Sequence, residues 1–141
     1  MARKKKIVLV GGCFDILHFG HIYFLKKAKS LGDYLVVALE SDDNTRKLKG
    51  PKRPIHTQKQ RAEILRSLRS VDKVISLPPF PDYQELTNQV HPAIIAVTEG
   101  DPMLKKKEGH AVKVGAKLVV IPKIKMASTT QIAKLLKIER N

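Results

Sequence analysis

Cysteine and aromatic side chains are scarce in this chain of 141 residues. Cys13 is the only cysteine, so the chain can form neither an internal disulfide nor a zinc cage of thiolates. Phe, Tyr and Trp together make up 5% of the residues, which leaves few rings to stack on nucleic-acid bases. These shortages argue against a secreted, disulfide-stapled fold and favour a reducing, cytoplasmic location.

Long apolar runs are missing as well. The basic N-terminus leads into the apolar stretch Ile7–Val10, which stops at Gly11 and is too short for a signal peptide. No stretch approaches the roughly 18 apolar residues that span a bilayer. We therefore expect no membrane association, and we expect residues 1–5 to form a flexible basic N-terminus.

Acidic residues are few: 13 Asp and Glu stand against 27 Lys and Arg, giving a formal net charge of +14. Such a surplus of positive charge favours polyanionic partners. A basic nucleic-acid-binding domain is therefore the non-enzymatic alternative, but the sequence has no helix-turn-helix pattern and no RNP-like motif to support it. We do not expect nucleic acid to be the primary partner, and the charge equally suits small polyanionic substrates.

Apolar residues make up 43% of the chain, which is enough for one core in a single domain spanning 1–141. Short apolar runs separated by helix-length segments are typical of an α/β protein with a parallel sheet. The predicted strands are Ile7–Val10, Tyr34–Leu39, Val71–Leu77, Ala93–Val97 and Lys117–Ile121. We predict a Rossmann-like open parallel five-stranded sheet with helices on both faces.

Capping patterns mark several of the helix starts. In a capping box, two residues three positions apart at a helix start each accept a hydrogen bond from the other's backbone N–H. This pattern fits Thr57 with Gln60, Asp82 with Glu85, and Ser128 with Gln131. Further helices are expected from near Gly20 and between Pro102 and Val114.

The segment from Gly11 to His21 joins the first strand to the first helix, at the carboxyl-end crevice where open parallel sheets bind ligands. Glycines here let backbone N–H groups approach a ligand, and the start of the helix favours an anion. His18 and His21 can place two imidazoles on one side of the helix start, with space for a phosphate over Gly20. In cationic form they would stabilise charge on a pentavalent phosphorus and on a pyrophosphate leaving group.

Other chemistries fit this segment less well. The sequence has neither the P-loop pattern nor the dinucleotide-binding G-x-G-x-x-G. A metal site would need a third ligand beside the two histidines, with Cys13 and Asp15 as the only near candidates, and we expect no metal held by the protein. We expect Cys13 to line the turn as a small residue. A phosphate-binding module without turnover remains a further alternative.

The run Gly12-Cys13-Phe14-Asp15-x-x-His18-x-Gly20-His21 resembles the signature of the HxGH nucleotidyltransferases of the cytidylyltransferase-like superfamily. The likeness is nearly full length and is greatest to the adenylyltransferase domain of heptose-phosphate kinase/adenylyltransferases, which serve lipopolysaccharide core biosynthesis. Glycerol-3-phosphate cytidylyltransferases and FMN adenylyltransferases (FAD synthases) share parts of the pattern. The chain departs from the heptose enzymes at Thr98-Glu99, where they tend to have Lys-Gly, which bears on the identity of the acceptor.

The resemblance implies that a substrate phosphate attacks the α-phosphorus of a nucleoside triphosphate and releases pyrophosphate, without a covalent enzyme intermediate. We expect AMP transfer from ATP to a phosphorylated small molecule such as heptose 1-phosphate, with Mg²⁺ on the substrate phosphates. The alternatives are a glycerol-3-phosphate cytidylyltransferase using CTP and an FMN adenylyltransferase. The same resemblance implies a homodimer.

The resemblance also assigns roles to individual residues. His18 and His21 are implied to be catalytic, and Lys49 is placed with them because a long ammonium side chain at this edge of the sheet can reach phosphate. The residues predicted to bind nucleotide are Gly12, Cys13, Phe14, Gly20, Lys47, Arg61, Gly100, Asp101, Ser128, Thr129 and Thr130.

Overall fold

The computed structural model describes residues 4–125 and residue 134. In this part of the chain, strands and helices alternate along the sequence. The strands are β1 (Ile7–Gly12), β2 (Tyr34–Leu39), β3 (Lys73–Ser76), β4 (Ile94–Thr98) and β5 (Lys117–Ile121). The helices are α1 (Phe19–Ser30), α2 (Asp42–Lys49), α3 (Gln58–Arg66), α4 (Tyr83–Val90) and α5 (Leu104–Val114).

All strands pair in parallel in a five-stranded sheet of order β3-β2-β1-β4-β5. The chain places β2 and β3 on one side of β1 and then crosses to place β4 and β5 on the other. A crevice for ligands therefore opens at the carboxyl ends of β1 and β4, where the direction of winding reverses. This fold confirms the Rossmann-like α/β prediction.

Apolar side chains cover both faces of the sheet because successive strand residues point to opposite sides. Val8 and Val10 of β1 pack with Leu25 and Leu65, from α1 and α3, in one buried cluster. Leu9, between them, belongs to a second cluster that includes Ala111 of α5. The near-continuous apolar strands follow from burial on both faces.

The predicted boundaries differ from the observed ones at the ends of elements. β1 runs two residues further than predicted, because Gly11 and Gly12 pair with Ala38 and Leu39 of β2. β3 is shorter than the predicted Val71–Leu77, although both end residues are buried. The predicted helix between Pro102 and Val114 begins at Leu104.

The helix caps agree with the sequence patterns in part. Thr57 and Gln60 form the full reciprocal capping box, whereas Asp82 accepts a hydrogen bond from the backbone N–H of Glu85 without the return bond being formed. Helix α2, capped by Ser41, was not predicted because no Glu or Gln follows at the third position. The third predicted box, at Ser128, lies outside the described residues, as do Met1, Ala2 and Arg3.

Candidate active site

The carboxyl ends of β1 and β4 border a cleft of about 430 Å³. The side of the cleft near α1 carries His18, His21, Lys49 and Arg53. The side near β4 and β5 carries Thr98, Asp101, Lys107 and Lys123. Its floor includes Gly11 and Gly12 at the end of β1 and residues 13–15 of the β1–α1 loop.

The two histidines form the cap of α1. The backbone N–H of Gly20 donates to His18 Nδ1 at 3.0 Å, and the backbone N–H of His18 donates to His21 Nδ1 at 3.2 Å. Their ring centroids are 4.1 Å apart. Because each Nδ1 accepts a backbone hydrogen bond, the proton of each neutral ring lies on Nε2. The capping bonds thus orient two N–H donors as a pair.

Both imidazoles are neutral at pH 7 in the free protein. Burial lowers the pKa of His21 to about 4, and the positive charges of protonated His18, Lys49 and Arg53 act in the same direction. Burial also lowers the pKa of His18 below its ordinary value. The cationic form considered from the sequence therefore requires a bound anion, whose negative charge would raise both pKa values.

Asp15 ties the β1–α1 loop to the segment after α2. Its carboxylate accepts hydrogen bonds from Arg53 Nε at 2.7 Å and from the backbone N–H groups of Ile55 and His56, at 2.7 and 3.0 Å. Burial alone would raise the pKa of Asp15, but these hydrogen bonds and the charge of Arg53 outweigh it and lower the pKa. Asp15 thereby holds the guanidinium of Arg53 at the edge of the cleft.

Arg61 supports the same loop from behind. Its side chain is fully buried and donates to the carbonyl oxygens of Cys13 at 2.7 Å and His56 at 3.0 Å, and to Asp42 at 2.8 Å. With all three nitrogens of its guanidinium engaged, Arg61 does not line the cleft. The structure therefore places it where it shapes the loop backbone.

The tight course of the β1–α1 loop explains why glycine stands at position 12, at the end of β1. Phe14 and Ile16 have positive φ angles of 47° and 52°. The ring of Phe14 folds back over Gly12, where an added Cβ would lie 2.9 Å from Phe14 Cε2. Any side chain at position 12 would therefore push against this ring, and the backbone could no longer come as close to a ligand.

The remaining predicted residues divide between the cleft and its surroundings. Cys13, Phe14, Gly20 and Asp101 line the cleft. Gly100, with a φ of 80°, turns the chain immediately before Asp101. Lys47 lies outside the lining, with its Nζ 4.4 Å from the centre of the Phe80 ring. Ser128, Thr129 and Thr130 fall outside the residues that the structure describes.

The sequence prediction did not assign a role to Arg53 or to Lys107. Both belong to runs of basic residues that are indistinguishable from a solvated surface in the sequence. The only sequence feature that sets Arg53 apart is the proline that follows it, in a dipeptide after the basic run of α2. Nothing local separates Lys107 from Lys105 and Lys106, since only the docking of α5 decides which one reaches the cleft.

A buried carboxylate attaches α2 to the sheet. Glu40, at the end of β2, accepts hydrogen bonds from the hydroxyl of Tyr83 at 2.8 Å and from the side-chain amide of Asn44. Burial and the bond to Glu40 raise the pKa of Tyr83. These contacts hold α2, and with it Lys49 at its last turn, against the sheet and α4.

The fold and the loop geometry define an open parallel α/β domain whose paired histidines lie in the crevice where such sheets bind ligands. The chain belongs to the cytidylyltransferase-like family, whose model matches residues 9–135. It is a nucleotidyltransferase, as the sequence resemblance predicted.

Named relatives cover most of this chain. It is 42% identical to an FAD synthase from Thermococcus sibiricus, over 98% of this chain and 93% of that one. It is also 42% identical to the bifunctional protein HldE from Nitratiruptor sp., over 94% of this chain but 28% of HldE. Among solved structures, a lipopolysaccharide core biosynthesis protein from Thermoplasma volcanium matches with a TM-score of 0.73 and 30% identity, over 88% of this chain and all of that one.

Within residues 4–125, no helix has the length and apolarity that crossing a membrane requires.

Proposed function

We propose that this nucleotidyltransferase transfers AMP from ATP to the phosphate of a small molecule, with a sugar phosphate such as heptose 1-phosphate as acceptor. The observation that carries the proposal is the pair of Nε2–H donors of His18 and His21, set beside Lys49 and Arg53 in one cleft. Such a cluster of donors and cations suits a triphosphate. The likeness to HldE and to the Thermoplasma volcanium protein supports the sugar phosphate.

In the proposed reaction, an oxygen of the acceptor phosphate forms a bond to the α-phosphorus of ATP. The bond from that phosphorus to the bridging oxygen breaks, and the electron pair leaves with pyrophosphate. His18 and His21 donate hydrogen bonds to the phosphate oxygens on which negative charge grows, while Lys49 and Arg53 neutralise part of that charge. The protein acts by positioning and electrostatics, so none of its side chains needs to form a covalent bond.

Mg²⁺ is expected to enter on the triphosphate, as part of the substrate. The carboxylates of Asp15 and Asp101, which line the cleft in the described part of the chain, are already paired with Arg53 and Lys107. Phosphate oxygens and water then provide the octahedral oxygen ligands that Mg²⁺ prefers. The proposed location is the cytoplasm, in line with the single cysteine, which is buried. The proposed oligomeric state is a homodimer, in line with the family resemblance.

FMN is the second candidate acceptor, since the Thermococcus sibiricus FAD synthase is matched over 93% of its length. FMN also presents a phosphate as the nucleophile, so the same residues would serve the same chemistry. The two acceptors therefore differ only in the group that binds beside the triphosphate, and an activity assay with each acceptor distinguishes them.

The test is pyrophosphate release with Mg²⁺ across ATP, CTP, GTP and UTP, each offered heptose 1-phosphate, glycerol 3-phosphate or FMN. We expect release with ATP and heptose 1-phosphate. ATP with FMN would identify an FAD synthase, and CTP with glycerol 3-phosphate would overturn the choice of base. Binding of nucleotide without release from any pair would contradict the proposed acceptors.

A further inference from the structure

The two nitrogens of each cleft imidazole have different surroundings. Nδ1 belongs to the cap of α1, where it accepts a backbone hydrogen bond, from Gly20 in the case of His18 and from His18 in the case of His21. Both rings line the cleft, so Nε2 is the nitrogen left for a ligand. Because the two nitrogens of an imidazole point away from each other, a phosphate bound at Nε2 cannot also reach Nδ1.

A proton that enters either ring has to break the cap. It must bind at Nδ1, because Nε2 of the neutral ring already carries a proton. The new Nδ1–H would face a backbone N–H, at a nitrogen–nitrogen distance of 3.0 Å in His18 and 3.2 Å in His21. Two donors at this distance repel each other, so the ring has to leave the cap and its Nε2–H leaves its place in the cleft.

The surroundings of the pair also oppose a positive ring. Burial is the first cause that holds the pKa of His21 low, and positive charge on His18, on Lys49 of α2 and on Arg53 acts with it. The ring centroids of the two histidines are 4.1 Å apart, so two cations would repel each other strongly. Asp15, in the β1–α1 loop, acts in the opposite direction, but its carboxylate is paired with Arg53 at 2.7 Å.

A bound triphosphate changes the charge of the cleft but not the geometry of the cap. On the far side of the cleft the described residues add no net negative charge, since Asp101 is paired with Lys107 and Lys123 is positive. The ligand itself therefore supplies the negative charge, which favours a proton on the rings. Its oxygens meet the rings at Nε2, however, and give the proton on Nδ1 no acceptor. The backbone donors of the cap still oppose that proton when the cleft is filled.

We propose that the cap of α1 keeps His18 and His21 neutral throughout the reaction, so that they act as uncharged Nε2–H donors and a proton on either ring switches the site off. This inference rests on the proposed function for the identity of the reaction. It replaces the cationic imidazoles expected from the sequence with a division of labour. The two rings supply oriented hydrogen bonds, and Lys49 and Arg53 supply the positive charge.

Nitrogen NMR of protein labelled with ¹⁵N-histidine measures the state of each ring, because a neutral imidazole has two unlike nitrogens and a cation has two similar ones. The probe is α,β-methylene-ATP with Mg²⁺, which resists transfer of its α-phosphorus. We expect His18 and His21 to show the neutral Nε2–H pattern at pH 7, both free and with the probe bound. A cationic pattern of either ring in the complex would overturn the proposal.

Three variants support that measurement. His18→Asn and His21→Gln assign the two signals, since each variant removes one of them. His110→Gln is the matched control, because His110 lies on α5 and does not line the cleft. It should leave the signals of His18 and His21 unchanged.

The pH dependence of probe binding gives an independent measurement by calorimetry. If the rings took up a proton with the nucleotide, affinity would rise about tenfold for each pH unit towards acid. We expect the Kd of the probe with Mg²⁺ to change by less than about twofold between pH 8 and 6.5. Lys49→Met, which removes charge without touching the cap, should weaken binding by the same factor at each pH. A tenfold gain per unit in the wild type would contradict neutral rings.

The free protein tests the switch without any ligand. As the pH falls towards 4, the pKa of His21, its ring gains a proton and the backbone N–H of His18 should lose its acceptor. The protection of that amide against hydrogen exchange, relative to its intrinsic rate, should fall in step with the titration of the ring. The exposed ring of His91 is the internal reference, and its titration should not follow the amide. Full protection of the amide beside a protonated His21 would show that the cap does not respond to the proton, and the proposal would be wrong.

Failure of the proposed function has a different signature. Neutral rings in the nucleotide complex, without pyrophosphate release from any acceptor, would refute the proposed acceptors and leave this inference standing. Pyrophosphate release by an enzyme whose rings are cationic in the complex would do the reverse.

Discussion

The guanidinium of Arg61 donates a 2.7 Å hydrogen bond to the carbonyl oxygen of Cys13, joining α3 to the β1–α1 loop across 48 positions of sequence. This contact places a buried positive charge against the backbone of the loop, on the side away from the cleft. The backbone of the loop is thus held by Arg61 behind it and by the Asp15–Arg53 pair beside it.

Removal of the Arg61 guanidinium should destabilise the protein. Arg61→Met leaves the carbonyl oxygens of Cys13 and His56 without their donor, and we expect a loss of about 3 kcal/mol in the free energy of unfolding. Urea denaturation measures this loss. Arg66→Met, an exposed arginine on the same helix, is the control and should change stability by less than about 0.5 kcal/mol. Equal effects of the two variants would contradict the role of Arg61 in holding the loop.

The Nε2–H groups of the two histidines can be removed while the helix cap is kept. His18→Asn retains a capping acceptor and His21→Gln retains the acceptor of the capping box, so both variants should fold with near wild-type stability. Turnover should fall by about 10²- to 10³-fold in each, as when one preorganised donor is lost from a transition state.

His18→Ala is the companion variant for that experiment. It should lose the same activity and, in addition, about 1 kcal/mol of stability with the cap. Pyrophosphate release and thermal unfolding together distinguish the two effects. Full activity in both His18→Asn and His21→Gln would refute the assignment of the active site.

Stability should fall as the pH is lowered from 6.5 towards 4. The pKa of His21 is about 4 in the folded protein and 6.5 as its ordinary value, so the unfolded chain binds the proton more tightly in this interval. The lowered pKa of His18 acts in the same direction. We expect His21 to contribute a loss of about 2 to 3 kcal/mol across this range.

Urea unfolding at a series of pH values tests this, with His21→Gln as the reference that lacks the His21 proton. Its stability should depend less on pH between 6.5 and 4 than that of the wild type. Asp15, whose pKa is lowered, acts in a separate window, because its contribution is lost only as the pH falls below the ordinary value of 3.8. Parallel curves for wild type and variant above pH 4 would show that His21 titrates normally.

The hydroxyl of Tyr83 should stabilise the attachment of α2. Tyr83→Phe leaves buried Glu40 with one donor fewer, and we expect a cost of about 1 to 3 kcal/mol. The KM for ATP should rise as well, because Lys49 lies on the helix that this network holds. Tyr34→Phe is the matched control, since no hydrogen bond to the Tyr34 hydroxyl occurs among the described residues. A Tyr83→Phe variant as stable as Tyr34→Phe would rule out a stabilising role.

Local signals in the sequence were enough for the strands and for the histidine pair. Continuous apolar residues are typical of strands in a parallel sheet, so Tyr34–Leu39 and Lys117–Ile121 could be placed with their observed bounds. His18 and His21 could be paired because side chains three positions apart at a helix start lie on the same side of the helix. The roles of both histidines in catalysis stay predictions.

The sequence by itself determined the class of fold, the family and the loop at which phosphate is expected, because each depends on short-range periodicity or on a contiguous motif. Tertiary structure alone decided which basic residues face the cleft: Arg53 is held there by Asp15, 38 positions away, and Lys107 is selected from three lysines by the docking of α5. It also turned Arg61 towards the loop backbone. The physical reason is that the sequence does not distinguish one basic side chain from another. Only tertiary packing determines which one is buried, which one is paired and which ones stay in water.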